Sequence, residues 1–134
     1  MGTIRDAVVV VTGAAKGIGR AIAEELGHEG ARVVVNFSKS KEAAEDVVTR
    51  LHENGSPEAI AIQADVSDAA QAAMLIEETI KHFDHIDVLI NNAGINIDRS
   101  LKKLTAEDWD KVIQVDLNSY FYTVKAALPY LTQQ

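Results

Sequence analysis

Between Thr12 and Gly19 the chain reads Thr-Gly-Ala-Ala-Lys-Gly-Ile-Gly, a segment poor in side-chain volume that follows a β-branched run. Such a composition suits a pyrophosphate cradle. Gly13 permits a tight turn, Gly17 lets the backbone approach a phosphate with no Cβ in the way, and Gly19 lets a helix pack closely on a strand. The N-terminus of that helix offers N–H groups and the positive end of its dipole to the anion. Gly13, Ala15, Lys16, Gly17, Ile18 and Gly19 are therefore expected to hold the phosphates of a dinucleotide. The alternative is a helix-entry turn that binds nothing. Lys16 is not followed by Ser or Thr, which argues against a phosphate loop of the nucleotide-hydrolase type.

A second chemical signal follows the second apolar run, Val35-Asn36-Phe37-Ser38-Lys39-Ser40-Lys41. An NAD-selective site places an acidic residue near this point to bond the ribose 2′-hydroxyl. Here no carboxylate occurs before Glu42. Asn36 and Ser38 are neutral hydrogen-bonding groups, while Lys39, Lys41 and Lys16 supply positive charge that attracts a 2′-phosphate. The expected cofactor is NADP, with NAD as the second possibility, and Asn36→Asp is expected to reverse the preference. The competing reading makes both lysines solvated helix-entry residues.

These residues need a scaffold. Ala7–Val11, Arg32–Val35, Ala59–Ile62 and Asp87–Ile90 are short apolar runs of strand length. Between them lie helical spacings: Ile18, Ile22 and Leu26; Ala43, Val47 and Leu51; then Ala69, Ala73, Ile76, Ile80 and Phe83, which Ser67 could cap. Thr105-x-x-Asp108 resembles a capping box and predicts a long helix to about Pro129. Asn96 to Lys103 reads as a loop. Continuous apolar strands alternating with amphipathic helices imply a parallel sheet covered on both faces, a doubly wound α/β fold of Rossmann type. Residues 1–134 read as a single domain.

Composition narrows the function classes. The chain is 47% hydrophobic and 25% charged, the balance of an ordinary soluble globular protein. Its net charge of −7 disfavours nucleic acid and anionic lipid. With no cysteine, a thiol nucleophile, a disulfide scaffold and a thiolate zinc site are excluded. No apolar run is long enough for a bilayer, and no secretory signal is evident at the N-terminus, so a cytoplasmic location is expected. His82 and His85, with Asp84 and Asp87, read as a surface turn rather than a metal site. His28 and His52 read as solvated residues near helix ends.

The glycine segment, Asp65-Val66 after the third strand, and Asn91-Asn92-Ala93-Gly94 after the fourth together resemble the short-chain dehydrogenase/reductases along the whole chain. Asn96 to Ile113, with Trp109, is similar to the reductases of 3-oxoacyl thioesters. The resemblance implies four strands in the order 3-2-1-4. It implies that Asp65, with Val66, meets the adenine amino group, and that Asn92, Ala93 and Gly94 line the cofactor. Asp65 could equally cap the next helix, and Asn92 could satisfy buried backbone groups. The family's catalytic serine and Tyr-x-x-x-Lys pair belong to a second half expected beyond Gln134. Four residues after Tyr120, Tyr122 and Tyr130 stand Val124, Ala126 and Gln134, so these tyrosines read as packing residues and no catalytic residue is assigned. The family's helix asparagine falls at Asp116, with Asn118 two residues on; neither receives a role.

Two classes of function follow. The first is the NADP(H)-binding half of a carbonyl reductase acting on a 3-oxoacyl thioester. The second is a non-catalytic nucleotide-binding or self-associating module. A purely structural α/β protein is a third, smaller possibility. Homo-oligomerisation is expected through the edge of the fourth strand or through the last helix, which carries Trp109, Val112, Ile113, Val115, Leu117, Tyr120, Phe121 and Val124.

Overall fold

Four consecutive valines form β1 (Val8–Val11), and every one of them is fully buried. β-Branched side chains fit a strand covered on both faces, and β1 occupies such a place. The computed structural model describes residues 4–94 and 105–131. After β1 come α1 (Gly17–His28), β2 (Arg32–Phe37), α2 (Lys41–Glu53), β3 (Ala59–Gln63), α3 (Ala69–Phe83) and β4 (Val88–Ile90). Then follow α4 (Ala106–Ile113), a π-helical segment Gln114–Asn118, and α5 (Ser119–Leu131). The four strands are parallel in the order β3-β2-β1-β4, as the resemblance implies. The loop expected at Asn96 to Lys103 lies outside the described residues.

Successive residues of a strand face opposite sides, and the core divides accordingly. Val9, Val11, Val33 and Val35 pack with Ala23 of α1 and with Ala44, Val47 and Leu51 of α2. Val8, Val10 and Val34 pack with Leu75, Ile76 and Phe83 of α3 and Ala127 of α5. The sheet is thus the middle of three layers. Between α1 and α2, Arg20 bonds Glu24 at 3.0 Å and Asp46 at 2.9 Å, and these two carboxylates hold its guanidinium above its ordinary pKa.

Three details differ from the pattern expected of the helices. The innermost face of α1 is Gly19, Ala23 and Gly27; of the expected Ile18, Ile22 and Leu26, Leu26 packs partly buried against the core, while Ile18 is 74% exposed. Small residues let α1 lie close to the strands, so its larger apolar residues fall to the flank. The cap of α3 is Asp68, whose side chain accepts from the N–H groups of Ala70 and Gln71; Ser67 instead donates to the Asp65 carboxylate at 2.6 Å. The long last helix exists, and its capping box is reciprocal, with Thr105 and Asp108 each accepting the other's backbone N–H. It is interrupted, however, by the five π-helical residues. Tyr122 and Tyr130 pack on the core as expected, whereas Tyr120 is 40% exposed.

Candidate functional site

The glycine segment leaves the carboxyl end of β1, the side of an α/β sheet where ligands bind. Gly13 and Gly17 adopt left-handed backbone, φ +61° and +60°, a conformation costly for residues with a Cβ. Lys16, at the N-cap of α1, is extended and its side chain caps none of the helix's first N–H groups. The first N–H groups of a helix have no intrahelical partner, and an anion at the helix start is one way to satisfy them. The backbone behind the cradle is close: a Cβ on Gly19 would lie 2.3 Å from Asn92 Nδ2 and 2.4 Å from the Gly13 carbonyl oxygen, and one on Gly13 would lie 2.9 Å from Ala93 Cα.

Thr12 organises the junction between β1 and β4. Its Oγ1 accepts from the N–H groups of Asn92 and Ala93, both at 2.9 Å. Asn92 Nδ2 returns a bond to the Gly13 carbonyl at 3.1 Å. Asn91 Oδ1 accepts from Thr123 Oγ1 at 2.6 Å, tying α5 to the end of β4. Asn92 therefore does satisfy backbone groups, one of the two roles open to it.

Asn36 is equally committed. It is 2% exposed. Its Oδ1 accepts from Gly13 N at 3.2 Å, and its Nδ2 donates to the carbonyls of Ile62 and Ala64, each at 3.2 Å. The side chain knits the glycine turn, β2 and β3 together, so it shapes the cradle instead of offering a free amide to a ribose. Beyond it, Ser38 and Lys39 line a cavity of about 670 Å³ with Gly13, Asn36, Asp65, Val66, Ala93 and Gly94. That volume lies within the range of small-molecule and cofactor sites.

The short chain dehydrogenase family model matches residues 7–134. The chain belongs to the short-chain dehydrogenase family. It is 45% identical over 126 residues to versicolorin reductase 1 of Aspergillus parasiticus, covering 94% of this chain and 48% of that protein. It is 42% identical over 125 residues to the 3-oxoacyl-(acyl-carrier-protein) reductase FabG of Staphylococcus aureus, covering 93% of this chain and 50% of that one. Among solved structures, a short-chain dehydrogenase from Burkholderia cenocepacia in complex with NADP superposes with a TM-score of 0.91 at 35% identity, over 97% of this chain and 53% of that one. The chain spans about half the length of these relatives.

In this short-chain dehydrogenase chain Gly13, Asn36, Ser38, Asp65, Val66, Ala93 and Gly94 of the expected site residues line the cavity at the carboxyl ends of the strands, whereas Ala15, Lys16, Gly17, Ile18, Gly19 and Asn92 are not among its lining residues. Asp65 and Val66 reach the cavity from β3, with Val66 buried. The Asp65 carboxylate caps its own turn, accepting from Ser67 N at 3.0 Å, and its backbone N–H donates to Gln71 Oε1 at 2.8 Å. It does not cap α3. Lys39 lines the cavity, whereas Lys16 and Lys41 are exposed and are not among its lining residues. Four lining residues carry no signal in the sequence: Ala64 after β3, and Glu107, Asp110 and Lys111 of α4. The i, i+3, i+4 spacing of the three α4 residues marks one helix face, but nothing local says which way that face looks. Of Asp116 and Asn118, the first approaches the loop: a Cβ on Gly94 would lie 2.8 Å from Asp116 Oδ1. His82 pairs with Glu58, and His85 bonds Asp87 at 3.1 Å, both at the amino ends of the strands and away from the cavity.

Proposed function

We propose that this chain is the NADP(H)-binding half of a short-chain dehydrogenase-type oxidoreductase that reduces a carbonyl group, that of a 3-oxoacyl thioester. The observation that carries the reading is the glycine cradle, packed so closely from behind that a Cβ at Gly19 would meet Asn92 Nδ2 and the Gly13 carbonyl oxygen, opening beside a turn with Lys39 and no carboxylate. In this reading Gly13, Ala15, Lys16, Gly17, Ile18 and Gly19 receive the pyrophosphate. Asn36 shapes the cradle, Ser38 and Lys39 face the 2′-phosphate, and Asp65, Val66, Asn92, Ala93 and Gly94 enclose the adenosine side. The bound reduced cofactor supplies hydride. The substrate class comes from the likeness to a protein named as a 3-oxoacyl reductase, and the cofactor from a neighbour solved with NADP.

A second reading is a nucleotide-binding module without catalysis; hydride transfer separates it from the first. Both readings require cofactor binding. Titration calorimetry of the chain with NADP and with NAD is expected to show NADP tighter by about tenfold or more, roughly 1.4 kcal/mol. Equal affinities would remove the cofactor assignment, and no binding of either would remove both readings.

A further inference from the structure

Ser38 and Lys39 line the cavity, but the connection that carries them, residues 38–40 between β2 and α2, has little of its own to hold it. Ser40, at the N-cap of α2, makes no side-chain capping bond. The β2–β3 ladder ends at the pair Phe37 and Gln63, with Ala64 N donating to the Phe37 carbonyl at 2.9 Å. Past that point the two backbones part. There the side chain of Gln63 takes over: its Nε2 donates to the Ser38 carbonyl at 2.9 Å. Gln63 is exposed and does not line the cavity. Its amide extends the strand pairing by one residue and fixes the peptide plane from which Lys39 projects.

We propose that Gln63 is a positioning residue for cofactor choice: it holds the Ser38–Lys39 turn where it can meet a 2′-phosphate, without touching the ligand. The inference rests on the NADP reading of this site. It predicts a selective effect, because the turn serves the 2′ substituent while the cradle and the Asp65 turn serve the remainder of the nucleotide.

The test compares adenosine 2′,5′-bisphosphate with adenosine 5′-monophosphate, titrated calorimetrically into the full 134-residue chain. Two variants remove the bond. Gln63→Met matches the length without a donor; Gln63→Asn keeps the amide but shortens its reach. An exposed neutral hydrogen bond of this kind predicts a loss of about three- to tenfold for the bisphosphate and less than about twofold for the monophosphate. Circular dichroism establishes that each variant is folded, and surface polar Asn at this position keeps that requirement easy to meet. Equal losses for both ligands would make Gln63 a general support of the pocket and overturn the proposal. So would unchanged affinity for both. A wild-type chain that binds both ligands alike overturns the NADP reading, and the inference with it, before any variant is considered.

Discussion

Replacing Gly19 by Ala tests the cradle most directly. The added methyl carbon would stand 2.3 Å from Asn92 Nδ2 and 2.4 Å from the Gly13 carbonyl oxygen, roughly 1 Å or more inside ordinary contact. The asparagine amide can swing away, but it then loses its 3.1 Å bond to that same carbonyl. The carbonyl itself belongs to the backbone of the cradle and cannot yield without moving it. Overpacking of this kind costs about 1–3 kcal/mol, and the lost hydrogen bond about 0.5–1.5 kcal/mol. The sum, about 2–4 kcal/mol, is a large part of the stability of a small domain. With a urea slope of about 1–3 kcal/mol/M, the unfolding midpoint followed by circular dichroism falls by on the order of 1 M or more. NADP binding is lost in parallel. Gly17→Ala provides the contrast: nothing lies within 4 Å of the added Cβ, but φ is +60°, so the cost is the backbone term alone, about 1–2 kcal/mol. A Gly19→Ala chain that unfolds at the wild-type urea concentration and binds NADP as tightly, or a Gly17→Ala chain that suffers more, would refute the steric argument.

Thr12→Val leaves the N–H groups of Asn92 and Ala93 without their acceptor; a loss of about 2–4 kcal/mol is expected in urea unfolding, with Thr12→Ser close to wild type. Asn36→Asp would set a carboxylate against the carbonyls of Ile62 and Ala64, so thermal melts are expected to show destabilisation at neutral pH rather than a clean change of cofactor. Ser38→Asp, on the cavity wall, is the better site for reversing the NADP preference, read by titration with both dinucleotides. The chain alone, given NADPH and acetoacetyl-CoA, is expected to show no enzymatic loss of reduced nicotinamide. Developing charge on the carbonyl oxygen needs a proton donor beside a cation, and Lys125 Nζ, three residues after Tyr122, sits over the Phe121 ring at 5.6 Å. Finally, Trp109, Leu117, Phe121 and Leu128 are each at least half exposed, an apolar face that predicts dimers or larger species by sedimentation at micromolar concentration; a monomer throughout would contradict it.

The strands were legible because runs of valine and isoleucine admit few other structures, and the glycine segment because left-handed turns and close packing demand glycine at fixed positions. Asn36 illustrates what was not. A neutral amide at a strand end looks the same in sequence whether it faces a ribose or a neighbouring strand's carbonyls. Only the register that sets Asn36 opposite Ile62 decides between them. Ser67 and Asp68 are both good caps one residue apart, and the choice follows from where the Asp65 turn ends. In α1 the spacing of Ile18, Ile22 and Leu26 marks an apolar stripe, yet close approach to the sheet places Gly19, Ala23 and Gly27 innermost, with Leu26 packed beside them. The cavity wall from α4 was illegible because it depends on a helix distant in sequence folding back across the strand ends.

The π-helical segment carries a consequence for how this chain tolerates change in length. A π turn holds one residue more than an α turn. Deleting any single residue between 114 and 118 would let the whole stretch from Ala106 to Leu131 run as uninterrupted α-helix, a gain by local criteria. Because the turn would shed only its extra residue, the helix downstream would keep nearly its present direction and register. Thr123 would still reach Asn91, and Ala127 would keep its place against Val8 and Val10. What would change is the wide turn itself, which holds Asp116 beside Gly94: the irregularity shapes the ground next to the Asn-Asn-Ala-Gly loop, and the helix beyond it is indifferent to the extra residue.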